Sequence, residues 1–232
     1  MRHVFLYLVM VAVLAGGWGE AVEAQSSGDA LPPVLPELLS EAPVDVYHRV
    51  AGFRSVRFGM TAEEVRRAIR RDFGVGEDEI ESLLNLEQGT LVLAVTVPSL
   101  PPGPGPASVY YILGASTERL MYINVVWSTS EDPTDAEREQ MVIAGLQLGN
   151  YFLRLQWRPE AIVTTVVLGP GEVVVFAGVD PDGAGVQVIL RGVPMADEAG
   201  QPVPLSGPAM LQVAYAADFG QPDVITIEPG AF

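Results

Sequence analysis

The first clear pattern in the chain is a helical one that begins near residue 60. Thr61 and Glu64 stand three positions apart, as in a capping box, and this spacing predicts a helix that starts after Thr61. One face of that helix is apolar and is expected to be buried: it consists of Ala62, Val65, Ala68, Ile69 and Phe73. The opposite face is cationic and consists of Arg66, Arg67, Arg70 and Arg71. The sequence therefore predicts an amphipathic helix with an arginine-rich outer surface.

Alternating apolar positions follow this helix and predict strands. Runs over residues 91–97, 109–113 and 121–127 place apolar side chains at every second position, and turns rich in Pro, Gly or polar residues separate them. This arrangement is typical of an antiparallel meander with one buried face. Weaker helical spacing over residues 78–84 suggests a second, short helix before the first of these strands.

The order of elements then returns in the second half of the chain. Thr134 and Glu137 repeat the capping-box spacing and predict a helix that runs to about residue 152. Its buried stripe is expected to consist of Met141, Ala144, Gly145, Leu148 and Phe152. Gly145 on this stripe would let the helix approach a sheet closely. Strands are predicted to follow over residues 162–168, 173–179, 186–193 and 211–217.

These patterns predict an α+β fold class, built as two tandem helix-plus-antiparallel-sheet units. The first unit covers residues 49–130 and the second covers residues 131–232. The two units share the order of their elements more than the identity of their residues, so a true duplication is a hypothesis rather than a detected repeat.

The second helix is apolar on its outer side as well. The side chains that lie off its buried stripe are Val142, Ile143, Leu146 and Leu153. A helix that is apolar all round is either covered on both sides or contacts a partner. We favour a helix sandwiched between two sheets and keep a partner contact as the alternative.

The N-terminus has the three-part layout of a secretory signal peptide. A short basic start, Met1–His3, precedes an apolar run from Val4 to Ala15, and small residues fit cleavage after Ala24. The apolar run is too short to cross about 30 Å of hydrocarbon as a helix. Residues 1–24 are therefore predicted to be a signal peptide, and residues 25–48, rich in Ser, Pro and Gly, a flexible linker. We expect an exported protein, periplasmic or secreted and soluble after cleavage, without an integral membrane span.

Composition removes several classes of function. The chain has 232 residues, 49% of them hydrophobic, and a formal net charge of −16, which supports a core but excludes a general nucleic-acid binder. It has no cysteine, so disulfides, thiolate metal sites and a cysteine nucleophile are excluded. Every basic residue is an arginine, so Schiff-base chemistry and a phosphate-binding P-loop lysine are excluded too.

Catalytic and metal sites have weak support in the sequence. His48 is the one histidine expected after cleavage, and no Gly-x-Ser-x-Gly motif accompanies it, so we interpret it as a surface histidine. Acidic clusters over residues 77–81 and 131–139 fit the starts of helices, where the dipole favours carboxylates. The segment Asp180–Gly185 resembles a calcium loop in its first residues, but the distal ligands are missing, and a hairpin turn is favoured. We assign no catalytic residue, no metal ligand and no cofactor.

One stretch resembles a known family. Phe58-Gly59-Met60-Thr61, followed by Val65 on a helix and by three antiparallel strands, resembles outer-membrane assembly lipoproteins of the SmpA/OmlA (BamE) type. Two such units in tandem resemble the architecture of the beta-lactamase inhibitor protein. The resemblance implies this α+β fold and a role in protein–protein binding. The chain lacks the lipidated cysteine of the lipoproteins, and Phe73-Gly74-Val75 stands where they have a Gly-x-Pro helix end.

The function predicted from the sequence is that of a non-catalytic, exported protein-binding module. The predicted contact with the partner protein is the arginine face of the first helix: Arg66, Arg67, Arg70 and Arg71. One alternative is a protein that binds a small ligand or an ion in a pocket between the two units. Another is a hydrolase that uses paired carboxylates.

Overall fold

The structure is a computed structural model that describes residues 46–196 and 200–225. The predicted signal peptide and nearly all of the predicted linker lie outside these ranges. Within them, no helix is both long enough and apolar enough to cross a membrane.

Two helices and ten strands form the described part of the chain. The helices are α1 (Ala62–Phe73) and α2 (Asp135–Leu153). A small hairpin consists of β1 (Gly52–Phe53) and β2 (Val56–Arg57). The main sheet is antiparallel and has the order β3-β4-β5-β6-β10-β9-β8-β7. Its strands are β3 (Glu81–Asn85), β4 (Thr90–Val97), β5 (Ala107–Leu113), β6 (Leu120–Ser128), β7 (Ile162–Gly169), β8 (Glu172–Val179), β9 (Gly185–Arg191) and β10 (Met210–Ala216). The predicted α+β class is confirmed.

The strands of both halves belong to one continuous sheet. β6, the last strand of the first half, pairs with β10, the last strand of the second, so that Val125 lies opposite Val213. In the described part of the chain, α2 packs mainly on β8, β9 and β10, and Ile143, Leu146 and Leu153 on its other side remain about half exposed. The expectation that α2 is sandwiched between two sheets is therefore wrong.

Both helices begin at the capping boxes that the sequence predicts. In α1, the Thr61 N–H donates to Glu64 Oε2 at 2.8 Å, and Thr61 Oγ1 accepts from the Glu64 N–H. Thr134 and Glu137 form the same pair of bonds at the start of α2. These backbone hydrogen bonds to the carboxylates lower the pKa of both glutamates.

The core lies between the helices and one face of the main sheet. Every second residue of the central strands points into it, as the alternation predicts: examples are Leu93, Val109, Ile123, Val188 and Val213. α1 and α2 bury the predicted stripes, with Ala62, Phe73 and Leu148 only partly buried. Gly145 provides the predicted close approach, because a β-carbon there would lie 2.9 Å from Leu190 Cδ1.

The short helix suggested over residues 78–84 is not formed. One 3-10 turn covers Glu77–Glu79, and β3 follows directly. Leu83 pairs with Val92 of β4, so pairing with a neighbouring strand outweighs a weak local preference.

Candidate functional site

The four arginines of α1 lie on one face, and carboxylates neighbour most of them. Arg66 Nη1 lies 2.6 Å from Glu77 Oε1, and its other terminal nitrogen bonds to the Ser82 hydroxyl. Arg70 Nε lies 3.6 Å from the other Glu77 oxygen, and Arg71 Nε lies 3.8 Å from Asp72 Oδ1. This face therefore presents less uncompensated charge than its sequence indicates, and its role in partner binding stays a prediction.

The outer surface of α2 is apolar and exposed to solvent. Ile143, Leu146 and Leu153 keep 48%, 50% and 48% of their accessible surface. No charged residue occurs from Gln140 to Leu153, although the whole chain has a net charge of −16. An exposed helix without charge over this length is unusual for a surface that meets only water.

Two glycines let α2 pack closely against the sheet. A β-carbon at Gly149 would lie 2.6 Å from Val175 Cγ1 of β8, just as one at Gly145 would contact Leu190 of β9. The inner side of the helix is therefore filled by the sheet itself. The apolar residues of the outer side have no place in the core, and their exposure follows from the packing.

A cleft of about 650 Å³ lies between the β1–β2 hairpin and α2. Its aromatic lining comes from three distant segments: Phe53 of β1, Tyr151 and Phe152 of α2, and Tyr215 of β10. The Tyr215 ring centroid lies 5.7 Å from that of Phe53 and 6.2 Å from that of Phe152. Residues of both halves of the chain thus build one apolar floor.

Cationic residues surround this floor. Arg49, Arg54 and Arg57 line the cleft together with His48, and no carboxylate is among the lining residues. Arg54 Nη1 donates to the Asp72 carbonyl at 2.9 Å, and Arg57 Nη1 donates to the Val56 carbonyl at 3.0 Å. Arg49 Nη1 lies 2.6 Å from a carboxylate, that of Asp182. The cleft therefore combines aromatic surface with net positive charge.

The turn between β8 and β9 fixes the segment that forms one wall of the cleft. Asp180 Oδ2 accepts from the Val50 N–H at 2.9 Å, and Oδ1 accepts from the N–H groups of Asp182 and Ala184. The His48 N–H donates to the Gln156 carbonyl at 2.6 Å. Asp180 thus acts as a turn residue and an anchor, and the predicted hairpin turn is confirmed.

Burial shifts the titration of two side chains in the cleft. It lowers the pKa of His48, although the nearby Asp180 carboxylate acts in the opposite direction. It raises the pKa of Tyr215, and the neighbouring Tyr151 raises it further. Both side chains are therefore uncharged near neutral pH, and the arginines supply the positive charge of the cleft.

A row of polar side chains crosses the face of the sheet that is opposite the helices. Glu172 of β8 accepts from Arg191 Nε at 2.6 Å, and Arg191 Nη1 donates to Gln212 Oε1 of β10 at 2.8 Å. Gln212 Nε2 donates to Asn124 Oδ1 of β6 at 3.1 Å. The row connects strands of the two halves. Sequence reasoning missed it, although an isolated Gln212 within an apolar strand was a visible signal.

A second cleft, of about 530 Å³, lies beside the start of α1, and Glu63 and Glu118 both line it. Carboxylates of the predicted acidic clusters have structural partners elsewhere, since Glu79 accepts from the Gly76 N–H and Glu137 caps α2. In residues 46–196 and 200–225, no three His, Asp or Glu side chains converge on a site that could hold a metal ion. The use of paired carboxylates for hydrolysis stays a hypothesis.

No family model, no curated protein and no solved structure matches this chain.

Proposed function

We propose that this chain is an exported, non-catalytic protein-binding module, periplasmic or secreted, and that the outer surface of α2 is its main contact. The observation that carries the proposal is the exposed stripe of Ile143, Leu146 and Leu153 within a segment free of charge. Water contact at three such side chains is unfavourable, at about 25 cal/mol per Å² of apolar surface, and a partner that covers them removes this cost.

The charge of the chain defines the chemistry of the partner. With a net charge of −16, the protein repels other acidic proteins at long range. We therefore expect a partner that presents an apolar patch with a neutral or basic surround. The protein-binding role is also the one that the sequence resemblance implies.

Photo-crosslinking tests the contact directly. A benzoylphenylalanine at position 146 is expected to give one specific adduct in intact cells, and the same residue at Arg67, exposed on α1, serves as the control. The partner found is then purified, and its Kd is measured by calorimetry. Leu146→Glu should weaken binding at least tenfold, and Arg67→Glu should leave it within about twofold.

Two outcomes would contradict this assignment. Loss of binding in Arg67→Glu but not in Leu146→Glu would move the contact to the arginine face of α1. An adduct with a second copy of this chain, together with a dimer in sedimentation analysis, would make α2 a self-association surface. Export has its own test: the mass of the secreted or periplasmic chain should correspond to cleavage after Ala24.

A further inference from the structure

We propose that the cleft between the β1–β2 hairpin and α2 binds a small amphiphilic anion: a molecule with an apolar body and one carboxylate, sulfonate or phosphate group. This site is separate from the outer surface of α2 that is proposed to bind a protein. Its volume of about 650 Å³ falls within the range of small-molecule sites, roughly 300–1,000 Å³.

The apolar body has a defined place in this cleft. Phe53, Phe152 and Tyr215 form the floor, and Val186 extends it. Phe152 and Val186 are buried in the core, so this part of the floor is fixed before a ligand arrives. The accessible apolar surface lies on the partly buried Phe53, Leu148 and Tyr215, where an aromatic or alkyl group would displace water.

The arginines at the edge of the floor indicate that the ligand carries an anionic group. Arg54 and Arg57 form no ion pair in the described part of the chain, and the hydrogen bonds found for them go to backbone carbonyls. A carbonyl accepts a hydrogen bond but does not cancel a full charge. Each guanidinium has five N–H donors, so both keep donors for a ligand.

The contrast with the rest of the protein strengthens the assignment. The chain carries 29 acidic residues against 13 basic ones, yet the lining contains three arginines and no carboxylate, and Arg49 is paired with Asp182 outside the lining. A cation would meet repulsion in this cleft, and a neutral molecule would leave the arginines unused. An anion with an apolar body uses both features of the lining at once.

Two fluorescent dyes with similar aromatic bodies separate the contributions of charge and shape. The anionic dye is 8-anilinonaphthalene-1-sulfonate, and the neutral one is N-phenyl-1-naphthylamine. Titrated into the mature full-length protein, the sulfonate is expected to bind at one saturable site, at least tenfold more tightly than the neutral dye. Added salt should weaken the binding of the sulfonate and leave that of the neutral dye nearly constant.

Variants locate the site. Arg57→Gln and Arg54→Gln should each weaken the sulfonate at least fivefold, and Arg67→Gln, the same change of charge on α1, should leave it unchanged. Gln147→Trp, which places a large ring at the exposed edge of the cleft, should weaken both dyes. Gln140→Trp on the same helix is its matched control. Unfolding curves must show that each variant is folded at the temperature of the titration.

Several results would overturn the proposal. They are the absence of saturable binding, equal affinity for the two dyes in low salt, or sulfonate binding that survives both arginine changes in folded variants. Binding that is lost in Leu146→Gln but kept in Gln147→Trp would place the dye on the outer surface of α2. That result would refute the proposed ligand site in the cleft, and the proposal of a protein partner on α2 would be unaffected.

Discussion

Asp180 holds Val50 in position from 130 residues away, through a hydrogen bond of 2.9 Å from the Val50 N–H to Asp180 Oδ2. The same carboxylate closes its own turn by accepting from the N–H groups of Asp182 and Ala184. Both Asp180 and Val50 are buried. One side chain therefore links the β8–β9 turn to the segment that carries the arginines of the cleft.

Asp180→Ala is expected to destabilise the protein by about 2–4 kcal/mol, because three backbone N–H groups lose their acceptor and the Val50 N–H has no access to water. Urea unfolding measures the free energy. The same variant should weaken dye binding in the cleft, since the segment around Val50 is released. Asp182→Ala removes only an exposed ion pair with Arg49 and should cost less than about 1 kcal/mol. Equal effects of the two substitutions would refute the anchoring role.

Gln212 connects the two halves of the sheet and is 4% exposed. Gln212→Ala leaves Arg191 and Asn124 without their shared partner and should cost about 1–3 kcal/mol. A double-mutant cycle with Arg191→Ala separates this coupling from simple loss of packing. We expect a coupling energy above about 0.5 kcal/mol, and additive effects would show that the polar row does not act as a unit.

The hydrogen bonds of Asp223 lead us to expect that the stability of the fold decreases in acid. Its carboxylate accepts from the Thr117 hydroxyl and from the N–H groups of Thr117 and Ser116, and these bonds lower its pKa to about 2. Because the folded pKa lies below the unfolded value, the stabilisation is complete above about pH 4 and is lost as the pH falls towards 2.

Carbon-13 NMR of the Asp223 carboxyl should give a titration midpoint near 2. Amide shifts of residues 114–117 should change with the same midpoint, because protonation breaks the bonds to them. In Thr117→Val the midpoint should move up towards 3.8. A midpoint near 4 in the unaltered protein would exclude the hydrogen bonds described for this turn.

Gly145 sets the distance between α2 and the sheet. Gly145→Val should destabilise the protein by about 1–3 kcal/mol, because its side chain overlaps the buried Leu190. Gly145→Ala should cost less, since its gain in helix propensity, about 1 kcal/mol, offsets part of the clash. Ala136→Val, on the exposed first turn of α2, should change thermal stability by less than about 1 kcal/mol. A neutral Gly145→Val would mean that the helix can shift outward.

Local features of the sequence predicted the helices and most strands. The capping boxes at Thr61 and Thr134 and the apolar stripes behind them depend on residues within a few positions of each other. Pairing of β6 with β10 was not predictable in the same way, because it joins residues about 90 positions apart and leaves no periodic trace. The error on α2 follows from this: the expected second sheet is the continuation of the first.

The cleft could not be predicted from the sequence for a similar reason. Phe53, Phe152 and Tyr215 come from three separate segments, and each alone is consistent with an ordinary core residue. The β1–β2 hairpin that brings Phe53 and Arg57 to the cleft is only two residues long on each side, which is too short for alternation to show. The sequence shows an excess of arginines between Arg49 and Arg71. It does not show that some of them lie on α1 and others line the cleft.

The order of the strands has a consequence for how the fold is completed during synthesis of the chain. β3–β6 form one ribbon and β7–β9 form another, and β10 is the strand that joins them, although it is the last strand of the described chain. Until Met210–Ala216 has emerged, both ribbons present an unpaired inner edge. A chain that ends before this segment would therefore leave two incomplete ribbons in place of a shortened sheet, and such edges are targets for proteases and for aggregation.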